Sequence, residues 1–140
     1  MCTQQFRSFL LPGLLPEHHK LVLNTHHHGQ AFILTMIDSQ VCDLVAQQVL
    51  SELEMYITIA LVEALPSYCS YEMLLSAVTD KPLQESRKLV HEALEARVLD
   101  AALNPLRNLV KRCRHKLQVF GLDVRSLQGL GYQLVRARQM

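Results

Sequence analysis

The stretch SLQGLGYQLV, residues 126–135, decides how the rest of the chain is read. Gly129 and Gly131 stand one residue apart, with Tyr132 directly after and apolar residues on both sides. Glycine is placed where backbone angles are unusual or where a neighbouring chain comes close. VRSL (124–127) and YQLV (132–135) around QGLG therefore read as the arms of a β-hairpin. Just upstream lies a strongly basic run, KRCRHK, residues 111–116.

That run sits in a segment with helical periodicity, Pro105 to about Phe120, with Leu106, Val110, Cys113 and Leu117 on one stripe. Asn104 suits an N-cap, and Pro105 suits the first helical position, where its missing N–H would be unbonded anyway. The apolar stripe must face a core, so Arg107, Asn108, Lys111, Arg112, Arg114 and His115 must face out. Gly121 is expected to end the helix.

Charge is divided along the chain in the same way. The formal net charge is +1, yet residues 1–103 carry 6 Lys/Arg against 12 Asp/Glu, and residues 104–140 carry 8 Lys/Arg against Asp123 alone. A basic end on an otherwise acidic chain is the electrostatic footprint of a polyanion partner. A solvated basic helix without a ligand is the plain alternative.

Upstream, KLVLN (20–24), AFILTMI (31–37) and QVCDLVAQQV (40–49) read as short strands of a small antiparallel sheet. His26, His27, His28 and Gly29 fall in the turn between the first two. Residues 1–19, with Pro12, Gly13 and Pro16, are expected to form an irregular arm ahead of a domain over 20–140. From Leu53 to Leu65 the apolar positions Leu53, Ile57, Ala60, Leu61 and Ala64 follow the helical rhythm, and Ser51 with Glu54 has the form of a capping box. Pro66 stops this helix, and a second begins at Ser70 with Met73, Leu74 and Ala77 as candidate core. Asp80 and Pro82 introduce a further helix, about Leu83 to Ala102, with Leu83, Val90, Leu94 and Ala101 among its apolar positions.

Several function classes are excluded by composition. No apolar run approaches the roughly 18 residues of a membrane span. FLLPGLL is broken by Pro12 and Gly13, which argues against a signal peptide. The four cysteines, at 2, 42, 69 and 113, include no C-x-x-C pair, against both a structural zinc site and a disulfide scaffold. Reduced thiols and a cytoplasmic location are the expectation, with no membrane partner. An enzyme could be imagined from His18, His19, His26, His27 and His28 with Cys42. Adjacent histidines in a turn point apart, however, and no His-Glu-x-x-His helix is present, so neither catalytic nor metal residues nor a cofactor are expected. Cys113 lies among four cations, which would lower its pKa, and on the apolar stripe, which would bury it as an inert thiol.

Three stretches together carry a resemblance. LSELE (50–54) looks like a Leu-Thr-x-x-Glu helix opening, and EMYITIALVEALPSYCSYEMLL (54–75) like a helix, a Pro-containing turn and a Ser-led second helix. VKRCRHKL followed by VRSLQGLGYQL looks like an Ile-x-Arg-Leu-Arg-x-Lys-Leu helix and a Val-Arg-Gly-Val-Gly-Tyr-Arg-Leu hairpin. In this order they resemble the DNA-binding domain of response regulators of the OmpR/PhoB type. The resemblance implies an α+β winged helix-turn-helix: a small N-terminal antiparallel sheet, a three-helix core with one extra inserted helix, and a C-terminal hairpin wing. It implies a transcriptional regulator of bacterial type that binds double-stranded DNA. The recognition helix, 105–120, would enter the major groove, and the wing, 124–135, would follow the minor groove and backbone.

Arg112 and Arg114 match the motif's two arginines, with Lys116 after them. Helical geometry points Arg107, Asn108 and Lys111 at base edges and leaves Arg112, Arg114 and Arg125 for the backbone, with His115 beside them. Two departures stand out. Gln128 replaces the wing arginine before the first glycine, and the link ahead of the recognition helix is longer than in the family. That link holds the helix within 82–102, a candidate surface for RNA polymerase or another regulator. No receiver domain is expected. A single small interface rarely binds tightly alone, which makes a homodimer an expectation as well. The rival reading is a winged helix repurposed as a protein-interaction module without DNA affinity.

Overall fold

A computed structural model describes residues 6–25, 29–37, 40–79, 82–97 and 99–137. The fold is α+β, with a four-stranded antiparallel sheet, four helices and a C-terminal β-hairpin joined to a third short strand. The histidine turn at 26–28 lies outside the described residues.

The first sheet runs in chain order: β1 (Phe6–Phe9), β2 (His19–Asn24), β3 (Gln30–Ile37) and β4 (Gln40–Val49). The last three match the strands expected from the sequence. β1 corrects the irregular arm: Phe6–Phe9 pairs with Leu21–Asn24, although Pro12 and Gly13 do break the chain after it. Alternation sets the inner face, where Leu21, Leu23, Ala31 and Ile33 are buried against the helices.

Helix α1 (Glu52–Ala64) opens with the expected capping box. The Glu54 amide donates to Ser51 Oγ at 3.2 Å, and the Ser51 amide donates to Glu54 Oε1 at 2.7 Å. The buried face is Met55, Ile57, Thr58, Leu61 and Val62; Leu53, expected in the core, is exposed. Strand β5 (Cys69–Ser70) leads into α2 (Tyr71–Thr79), whose core residues are Tyr71 and Leu74, while Met73 is exposed.

The expected helix over 83–102 is two pieces. Helix α3 (Leu83–Glu95) buries Val90 and Ala93 and leaves Leu94 out. It stops at Ala96 and at Arg97, which adopts a left-handed φ of +57°. Helix α4 then runs from Leu99 to Leu117, with Pro105 inside it, and a 3₁₀ turn over Gln118–Phe120 leads to Gly121. The helix expected over 105–120 thus begins about two turns earlier, and Asn104 is not its N-cap. The break falls at residues 96–97 because the apolar stripe continues through Asn104–Pro105: Leu103, Leu106 and Leu109 are all buried. Tertiary burial of that stripe outweighs the local cost of a helical proline.

The chain closes with β6 (Leu122–Leu127) and β7 (Gly131–Arg136), joined by the turn at 128–130, in a sheet of order β5-β7-β6. The two glycines serve different ends. Gly129 holds φ +78°, which an L-residue adopts only with strain. Gly131 has ordinary angles but lies against β5, where an added Cβ would come within 2.0 Å of the Cys69 carbonyl oxygen. One continuous core joins the layers, through Leu21, Ile57, Leu74, Leu103, Leu117 and Leu134.

Candidate nucleic-acid interface

Six residues of α4 point inward: Leu103, Leu106, Leu109, Val110, Cys113 and Leu117. At about 100° per residue, the direction opposite this stripe is occupied by Asn104, Asn108 and His115, each within about 30° of it. Lys111 and Arg112 lie about 50° to either side of that centre line. Arg107 and Arg114 fall at the edge of the exposed face on the Lys111 side, and Lys116 at the opposite edge. Asn104, which the sequence suggested as a cap, is the residue missed.

The bonds agree with this placement. On one flank Arg107 hydrogen-bonds the Tyr132 hydroxyl, and Arg114 forms a two-pronged pair with Asp123 on β6. The pair holds the Asp123 carboxyl below its ordinary range and raises the guanidinium further. Asp123 is the one acidic residue of the basic segment 104–140, and it is spent on Arg114. On the other flank Lys116 Nζ donates to Glu54 Oε1 at 2.7 Å. Burial pushes the Glu54 carboxyl up. The Lys116 ammonium, the Ser51 amide and the Ser51 hydroxyl together outweigh this and leave it below its ordinary value. The capping carboxylate of α1 is thereby also the anchor of the α4 C-terminus.

Lys111, Arg112 and His115 are exposed and have no partner among the described residues. With Ser51, Glu54 and Lys116 they frame an open depression of about 630 Å³ between the start of α1 and the end of α4. The hairpin residues sit apart from it. Gln128 is exposed at the β6–β7 turn beside Leu130. Arg125 Nη2 donates to Gln133 Oε1 at 2.6 Å across the hairpin, and Gln133 Nε2 donates to the Pro66 carbonyl at 2.8 Å. Arg125 thus lines a mainly apolar groove with Leu10, Leu14, Leu65 and Leu134, away from α4's outer face.

Tyr132 is nearly buried and meets Tyr71 edge-on at 5.8 Å between ring centres. Burial is the main cause that raises its phenol pKa. Cys113 is fully buried, 3.3 Å from Thr58 Oγ1, and burial pushes its thiol up to about 11, so it is a protonated core residue at neutral pH. No cluster of three or more metal-ligating side chains occurs among the described residues, and no described helix is long and apolar enough to cross a membrane.

No family model, curated protein or solved structure matches the chain.

Proposed function

We propose that this protein is a winged helix-turn-helix regulator that binds double-stranded DNA, with α4 in the major groove and the β6–β7 hairpin as the wing. The observation that carries this reading is the outer face of α4. Its centre is amide and imidazole, suited to base edges, and it is straddled by the unpartnered cations Lys111 and Arg112, suited to the phosphates of the two groove walls. The other basic residues of the helix have internal duties. Arg114 and Lys116 serve in ion pairs, so Lys111 and Arg112 supply the electrostatic grip. The antiparallel hairpin braced against the start of α2 fits the same reading.

Fluorescence anisotropy with a random-sequence duplex at about 50 and 200 mM salt tests it. Each neutralised phosphate contributes about −0.9 to the slope of log affinity against log salt. Lys111→Ala/Arg112→Ala is expected to flatten the slope by about 1.8. Arg114→Ala/Asp123→Ala removes a neutral pair and is expected to leave it unchanged. No binding by the wild type at either salt refutes the reading.

A second reading has one observation in its favour. The hairpin tip presents Gln128 and the exposed Leu130, an uncharged surface that suits a protein partner better than a phosphate backbone. In that case the chain is an interaction module, and the anisotropy experiment returns no binding.

A further inference from the structure

The outer face of α4 changes chemistry along its length. Its first half offers two amides, Asn104 and Asn108, one helical turn apart and both exposed. Its second half offers Lys111, Arg112 and His115. The amides lie near the centre line, and neither has a partner among the described residues. Charge plays no part in what they can recognise. A carboxamide presents one donor group and one acceptor in a plane. In the major groove that pattern matches adenine alone, with N7 as acceptor and the N6 amino group as donor.

Resting on the DNA-binding reading, we infer that Asn104 and Asn108 form an adenine-reading pair, so that the preferred site holds two adenines about two base pairs apart. The spacing follows from the helix. Four residues advance about 6 Å along its axis, against about 3.4 Å per base pair. Each amide donates Nδ2–H to N7 and accepts from N6–H at Oδ1. Lys111 and Arg112, a turn further on and to either side of the centre line, hold the phosphates that flank the pair. Burial of Leu103, Leu106, Leu109, Val110, Cys113 and Leu117 fixes the rotation of the helix that points these amides outward.

Selection of bound sequences from a randomised duplex pool, followed by anisotropy on the selected duplex, tests the inference. The expected motif fixes two adenines two steps apart. Asn108→Ala and Asn104→Ala should each weaken that duplex about 5- to 150-fold while leaving the salt slope on random duplex intact. Replacing the adenines by 7-deazaadenine, which lacks only the N7 acceptor, should weaken wild-type binding and leave the matching alanine variant unaffected. The wild-type half of this arm uses the native protein and does not depend on a variant's folding. A selected motif without fixed adenines, or insensitivity to both 7-deaza substitution and the asparagine variants, overturns the adenine pair while salt-dependent binding upholds the DNA reading. Failure of the wild type to bind any duplex overturns both.

Discussion

Glu54 shows how much one side chain can hold. It accepts from the Ser51 amide, takes the Lys116 ammonium and is 4% exposed, so its carboxylate links the start of α1 to the end of α4. Because its folded pKa lies below the ordinary 4.5, its stabilising contribution is fully present above pH 4.5 and is lost as pH falls through the depressed value. Lys116→Met removes the partner and leaves the carboxylate buried, at a cost of about 2 kcal/mol at pH 7. Without the ammonium the Glu54 pKa rises, so the variant should lose less stability than the wild type as pH falls, and the cost of the substitution should shrink toward pH 3. Urea unfolding midpoints between pH 7 and pH 3 measure both effects. A wild-type pH profile retained in the methionine variant would contradict the pairing. By contrast, Arg114 is half exposed, and Arg114→Ala should cost less than about 1 kcal/mol.

Among the elements, α4 and the hairpin make the sharpest claims. Pro105 has no N–H for the Ala101 carbonyl, and inside a helix proline is less favourable than alanine by about 3 kcal/mol. If α4 is continuous from Leu99, Pro105→Ala should stabilise by about 1–3 kcal/mol and deepen the circular dichroism at 222 nm. A helix beginning at Pro105 predicts no gain from the same change. In the hairpin, Gly129→Ala meets open space and pays only for its positive φ, about 1–2 kcal/mol. Gly131→Ala forces β7 away from β5 and should cost more, above about 3 kcal/mol, with loss of the Tyr71–Tyr132 contact. Equal midpoint shifts for the two variants would show that Gly131 is not packed against Cys69. These elements also mark what was legible in the sequence. Three strands, the capping box and the hairpin announced themselves through period and turn chemistry. β5 could not, because two residues have no period, and β1 was masked by the Pro-Gly segment beside it. The break before α4 carries no Gly or Pro, whereas the proline that resembled a helix start sits on an unbroken apolar stripe. Half of the outer face of α4 was therefore readable from residue type. Asn104 was not, and neither were the ion pairs of Arg114 and Lys116, since Asp123 and Glu54 are distant in sequence or on another element.

At the scale of the molecule, one core joins sheet, helices and hairpin, and two buried thiols report on it from different layers. Cys69 lies on β5 in the hairpin sheet, and Cys113 on α4 touches Thr58 of α1. Burial pushes both thiols up to about 11, so at pH 8 each is protonated and shielded from reagent. Reaction then requires opening, and its rate measures the free energy of that opening. A hairpin that folded as an independent flap would expose Cys69 long before Cys113. The packing argues otherwise: Gly131 presses on the Cys69 backbone, Tyr132 meets Tyr71 edge-on, and Leu122, Val124 and Leu134 enter the same core as Leu103 and Leu117. Both thiols should therefore react at the same rate in dilute urea, with a protection free energy that falls in step with global stability. Mass spectrometry of peptides after pulsed alkylation separates the two sites. Faster labelling of Cys69 alone would reveal a hairpin that opens on its own. Equal labelling would show that the hairpin and the helices open as one unit.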